Sequence, residues 1–219
     1  MSATPPAILR ALVALAVFSV FGASFAHAQK QPNNEFGFWG SISSNSPDVY
    51  GSRGHVRFGA LAFRYGRAIR NGPILRIEYT LDIEPMEIIH EHTYIQCTFF
   101  QNGVEKTGYC PQGYQTVYGG GISPFGWKFN WLPRRSWEPL TAFGGGFVAS
   151  KTAVPIDIPL ATRFNFTFEL QVGVEHYNAK RSRALTFAYK LQHISNASRT
   201  NVNPGVDLNV FSLGYSFFR

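Results

Sequence analysis

This 219-residue sequence predicts an all-β fold, an eight-stranded antiparallel transmembrane β-barrel of the outer membrane, and three observations carry the prediction. Apolar and polar residues alternate with period two through several long segments, as in strands that send successive side chains to opposite faces. The breaks between segments alternate short and long, the pattern of periplasmic turns and extracellular loops. The N-terminus has the form of an export signal.

Arg10 is the sole charge ahead of an apolar run from Ala11 to Phe21, and small residues then lead to Ala26-His27-Ala28, the A-x-A form read by signal peptidase. The run is too short to span a bilayer. Residues 1–28 are therefore expected to be a cleaved leader that leaves Gln29 first, and residues 29–219 a single barrel domain with long extracellular loops. The net charge is +7 with only 15% charged residues. In an exported chain that balance points to an anionic membrane surface or glycolipid as partner rather than nucleic acid. The two cysteines, Cys97 and Cys110, are expected to form one disulfide worth roughly 3 kcal/mol in the chain-entropy model, with free thiols as the alternative.

The strand segments follow in order. Weaker alternation runs from Glu35 to Ser44 and from Val56 to Arg67. From Leu75 to Ile83 the odd positions are apolar while Arg76, Glu78, Thr80 and Asp82 intervene. Thr116 to Trp131 and Trp137 to Ser150 are again weaker. Phe164, Phe166, Phe168, Leu170, Val172 and Val174 alternate with Asn165, Thr167, Glu169 and Gln171. Leu185, Phe187, Tyr189 and Leu191 alternate with Ala184, Thr186, Ala188, Lys190 and Gln192, and Phe211, Leu213, Tyr215 and Phe217 with Ser212, Gly214 and Ser216. Eight is the smallest usual number for an outer-membrane barrel.

A soluble sandwich also alternates, with its apolar face as core. Strand length and loop asymmetry favour the barrel, whose apolar face meets lipid. Tight breaks are expected at Ala68 to Gly72, Leu132 to Ser136 and Asn178 to Ser182. Extended ones are expected at Asn45 to His55, Glu84 to Gln115, Lys151 to Thr162 and Asn196 to Val206. Tyr65, Trp131, Trp137 and Tyr177 flank the short turns, where an interfacial aromatic girdle belongs. Arg76, Glu78, Asp82, Glu169 and Glu175 face the lumen, where Arg64 and Lys190 can pair with them. So small and crowded a lumen argues against a porin.

Chemistry concentrates near the C-terminus, in His193-Ile194-Ser195-Asn196-Ala197, then Asn203-Pro204-Gly205 and Asp207. An imidazole, a hydroxyl, carboxamides and a carboxylate are the groups that an ester-cleaving triad and its oxyanion site require. Strand parity puts His193 and Ser195 on the lipid-facing side with Leu191, and Asp207 on the same side with Phe211. Polar groups on such a surface are costly and tend to be functional. Against this, Ser, Asn, Pro and Gly are ordinary turn residues, and a lone H-x-S arises by chance. The oxyanion candidates are Asn203, held by the Pro204-Gly205 turn, and Asn196.

These residues resemble the signature of the outer-membrane lipid A 3-O-deacylases (PagL-type). The resemblance covers the final thirty or so residues; Gly119 to Trp131 adds weak support. It implies an eight-stranded barrel that removes an ester-linked acyl chain from position 3 of lipid A without metal or organic cofactor. His193 would be the general base, Ser195 the nucleophile and Asn203 an oxyanion donor. The family usually has glutamate as the acidic member; the matching Asp207 is one methylene shorter.

Other features carry less. His90-Glu91-His92 lacks a third defined metal ligand and reads as exposed loop. The glycine runs Gly119 to Gly121 and Gly144 to Gly146 fit close strand packing or barrel bending. Arg134-Arg135 and Lys180-Arg181 read as solvated periplasmic turns, whereas Arg53, Lys106, Lys151 and Arg199 lie on outer loops where lipid A phosphates would be. The expectation is a serine esterase acting on lipid A of lipopolysaccharide, in contact with outer-membrane lipids. A catalytically silent barrel and a lipid acyltransferase are the rivals, and self-association is left open.

Overall fold

The computed structural model describes residues 32–43, 46–47, 55–156, 160–200 and 205–219. The expected leader, Arg53 and Asn203 lie outside them. The strands are β1 (Asn34–Ser43), β2 (Arg57–Asn71), β3 (Leu75–Gln101), β4 (Val104–Trp131), β5 (Trp137–Val154), β6 (Thr162–Tyr177), β7 (Arg183–Ser195) and β8 (Gly205–Phe218). Each pairs antiparallel with its sequence neighbours, and β1 pairs with β8 from Glu35↔Phe218 to Ile42↔Phe211, so the barrel is closed. Closure leaves each side chain a choice between lumen and outside. Phe38, Phe63, Phe143, Phe168, Phe187 and Phe211 are exposed on the wall, while charged residues are buried behind it. An apolar outside over a charged inside is the arrangement of a barrel in lipid.

The stretch Glu84 to Gln115, expected to be a loop, is strand. β3 runs for 27 residues and β4 for 28, and they meet at a tight Asn102-Gly103 turn with φ of 56° and 77°. Asn-Gly is the usual occupant of such left-handed hairpin turns. Register shifts between Glu84 and Glu87 and between Thr93 and Tyr94 break the period-two pattern, which hid the strands. β3 loses β2 beyond the Arg57↔His90 pair, and β4 first meets β5 at Gly119. The hairpin therefore stands free of the barrel by roughly 35 Å at about 3.3 Å per residue. A two-stranded ribbon is marginal alone. Cys97 and Cys110, bonded with Cα atoms 5.8 Å apart, tie its strands together.

The His90-Glu91-His92 segment accordingly sits on β3, not on a loop. Alternation turns buried Glu91 inward, where its Oε1 accepts from the Ile156 N–H at 2.8 Å, while His90 Nδ1 meets Thr116 Oγ1 at 2.9 Å. The three do not converge. The glycine runs do serve close packing: a Cβ on Gly146 would lie 2.0 Å from the Ile122 carbonyl oxygen.

Three layers fill the lumen. At the short-turn end Lys128 contacts Glu35, Glu78 at 3.3 Å and Glu175 at 3.5 Å. Ser216 donates to Glu35 at 2.6 Å and Asn130 to Glu175 at 2.7 Å, and Arg76 lies 3.4 Å from Glu78. Above them Arg64 grips Asp82 through two bonds of 2.7 and 2.6 Å, and Lys190 meets Glu169 at 3.1 Å. Toward the long-loop end the filling turns aliphatic, with Val56, Ile89, Val148, Ile194, Val206 and Leu208 in one cluster.

Two turn-end expectations need correction. Tyr177 is not a girdle residue: it shares the inward parity of Glu175, donates to that carboxylate at 2.7 Å and packs on Phe218 at 5.1 Å. Arg181 is not solvated; it pairs with Glu138, caps the Arg135 carbonyl at 2.7 Å and lies 4.0 Å from the Tyr177 ring centroid. Arg181 thus ties its own turn to the neighbouring turn that carries Arg135. Phe218 is buried beside Tyr177, and Phe217 is the last outward aromatic.

Replacing Lys128 with methionine keeps its bulk but strands three carboxylates without their shared cation. The expected cost is about 3–5 kcal/mol, the range for breaking a buried ion pair from one side. Urea unfolding in detergent measures it, and an unchanged midpoint would contradict the electrostatic role.

Candidate active site

The site grows from the ladder between β7 and β8. In its register His193 faces Asp207 and Ser195 faces Gly205, with Ile194 facing Val206 between them. Ile194, Val206 and Leu208 point into the aliphatic layer at 1%, 0% and 0% exposure. Their neighbours His193, Ser195 and Asp207 must then point outward.

His193 Nδ1 lies 2.6 Å from Asp207 Oδ1, with side-chain exposures of 26% and 7%. An ionised carboxylate only accepts, so Nδ1 carries the proton and Nε2 is the basic nitrogen of the ring. The shorter aspartate reaches because it stands directly across the ladder, where facing Cβ atoms are about 5 Å apart. A Cβ added to Gly205 would lie 2.8 Å from His193 Cε1 and 3.3 Å from Nε2. The imidazole thus lies across the bare backbone of Gly205, the ladder partner of Ser195.

The loop after β7 is pinned at Asn196, which is fully buried. Its Nδ2 donates to Thr200 Oγ1 at 2.8 Å, and its Oδ1 accepts from the Ser198 N–H at 3.0 Å. These bonds hold Ala197 and Ser198 in left-handed conformations with φ of 52° and 59°. Ser46 Oγ donates to the Asp207 carbonyl at 2.5 Å, tying the loop after β1 to β8. On the other flank Phe166 faces Ser195 and Phe168 faces His193 across β6.

Below the site the wall is grooved. A cavity of about 410 Å³ is lined by Phe129, Phe143, Leu170, Val172, Tyr189 and Leu191. Leu191 belongs to the row next to His193. Parity places His193, Ser195 and Asp207 together as expected, and Asn196 beside them. Gly205, Ser46 and the groove were not foreseen. A glycine in a strand is a signal of close approach, but its partner emerges only with the register.

Comparison with known proteins places the chain. The family described as lipid A 3-O-deacylase (PagL) matches residues 95–216. Among solved structures, the outer-membrane enzyme PagL is similar with 13% identity and a TM-score of 0.49, covering 83% of this chain and 98% of that one. Neisserial surface protein A follows at 12% identity and 0.45, covering 87% and 100%. Ail of Yersinia pestis is similar at 10% identity and 0.42, covering 86% and 100%. A sequence search of curated proteins found no match.

Gly205→Ala is expected to push the imidazole off Asp207 while the barrel still folds. In detergent-solubilised protein labelled at histidine nitrogen, the far-downfield Nδ1 proton of His193 should then be lost or shift upfield by ~1 ppm or more, as a short charge-assisted bond lengthens. An unchanged resonance would show that the ring does not need the missing Cβ.

Proposed function

The chain belongs to the lipid A 3-O-deacylase (PagL) family and is an outer-membrane lipid A deacylase, and on that premise we propose that it works as a serine esterase with Ser195 as nucleophile, His193 as general base and Asp207 as the residue that orients the base. One observation carries this reading: the 2.6 Å contact of His193 with Asp207 on the outer wall, with the ring lying against Gly205, the ladder partner of Ser195.

The ester carbonyl of the acyl chain is set against Ser195 Oγ with the chain running down the groove past Leu191. As Oγ attacks, Nε2 of His193 takes its proton, and Asp207 stabilises the imidazolium. Asn203 donates to the oxyanion. Asn196, which closes the loop directly after Ser195, is the second donor candidate. Collapse expels the sugar alkoxide, which takes the proton back from His193. Water, deprotonated by the same imidazole, then attacks the acyl-serine and releases a free fatty acid. Each acyl transfer and each accompanying proton transfer uses only these residues, substrate and water.

Orientation and export belong to the same proposal. Residues 1–28 direct the chain across the inner membrane, the short turns face the periplasm, and the site lies at the extracellular rim. The shorter aspartate gives a silent barrel its weight, and the 2.6 Å contact of Asp207 with His193 supports the esterase reading over it.

Ser195→Ala is expected to abolish loss of the acyl chain from lipid A, read by mass spectrometry. Asp207→Asn should retain the fold and lose roughly 10³- to 10⁴-fold in kcat through the wrong imidazole tautomer. Asn203→Ala should lose roughly 100- to 1000-fold. Full activity in Ser195→Ala would overturn the serine mechanism.

A further inference from the structure

Arg199 stands in the loop after β7, beside the site, and has no role in the steps above. It is exposed, yet its guanidinium is held from three sides. Nε donates to the Asn196 carbonyl at 3.3 Å, and Nη2 donates to the Phe164 carbonyl. Its Cζ lies 5.1 Å from the Phe164 ring centroid and 5.3 Å from that of Phe166. Phe166 is the residue directly across from Ser195. A long side chain that would otherwise sample many rotamers is thus fixed one strand away from the candidate nucleophile.

Its charge is unanswered. Among the described residues no carboxylate pairs with Arg199, whereas Arg64, Arg76, Lys128, Arg181 and Lys190 all have acidic partners inside the barrel. The same end of the molecule exposes Arg57, Lys151 and Arg163, while Glu84, Glu87 and Glu91 there are buried. Two backbone carbonyls occupy one edge of the guanidinium, and Nη1 remains to donate outward. A planar, fixed, unpaired guanidinium at a cationic rim suits a phosphate monoester.

We infer that Arg199 is a phosphate subsite that binds a phosphate on the glucosamine backbone of the lipid A molecule being cleaved, and so seats the ester at Ser195. The subsite rests on the placement of the reacting ester at Ser195. The phosphate adds binding energy remote from the bond that breaks, so removing the contact weakens substrate binding more than the chemical step.

The test uses the full-length refolded protein in neutral detergent micelles, where the substrate is the one source of phosphate. Fatty acid release is measured from lipid A and from the same lipid A after enzymatic removal of its phosphates, with wild type, Arg199→Gln, Arg199→Lys and Ser195→Ala. Arg199→Gln is expected to raise KM for phosphorylated lipid A by roughly 10- to 100-fold with little change in kcat, the scale of a lost charge-assisted hydrogen bond. On dephosphorylated lipid A it should match wild type, which also shows that the variant is folded. Arg199→Lys should lose less, since it keeps the charge without the fork. Equal losses on both lipids would overturn the subsite and make Arg199 a loop clamp. Activity surviving in Ser195→Ala would overturn the site and the subsite together.

Discussion

Closure of the sheet is the constraint on which the rest of the molecule depends. Once β1 pairs with β8, no strand has a free edge within the barrel, and each residue is committed by parity to lumen or lipid. A slip of one residue between β7 and β8 would turn His193 and Asp207 inward and push Ile194 and Leu208 out. The inward residues resist that slip, because a dry aliphatic cluster receives Ile194, Val206 and Leu208. The polar site is therefore held on the wall by apolar residues that face away from it.

The outermost layers of the lumen divide the work. Around Lys128 the buried carboxylates are worth little net stability as pairs, but each depends on its partners, so the cluster admits few other arrangements. It anchors the short-turn end, where Arg181 pairs with Glu138. The aliphatic layer backs the site with close-packed side chains of low compressibility. A rigid backing matters where a short aspartate must meet an imidazole across one ladder rung.

Much of this was legible in the sequence, and for one reason: wherever one face is charged and the other apolar, period two survives. β6, β7, β8 and the first half of β3 meet that condition, and the outward facing of His193, Ser195 and Asp207 followed from it. Where inside and outside are both apolar, as at Ile88-Ile89, or where a bulge shifts the count, as around Pro85, alternation disappears and strand reads as loop. Tyr177 was misread by its nearness to a turn, although its parity with Glu175 was available. Arg181 could not be placed, since its partner Glu138 is 43 residues away. The facing of the site was thus readable, but the contact between His193 and Asp207, and the need for Gly205 beneath the ring, depend on the register between β7 and β8, which parity alone does not give.

The groove beside Leu191 is lined by residues of the outer, lipid-facing wall, among them Phe143, Leu170 and Leu191. A ligand reaches it by lateral diffusion within one leaflet, so encounter is a two-dimensional process. The quantity that sets its rate is the mole fraction of the lipid among its neighbours, not a bulk concentration, and inert lipid added to the bilayer dilutes the substrate as buffer would dilute a soluble one. A saturation constant for such a site is therefore a surface density, and it shifts with whatever alters packing in that leaflet even when no residue of the barrel changes.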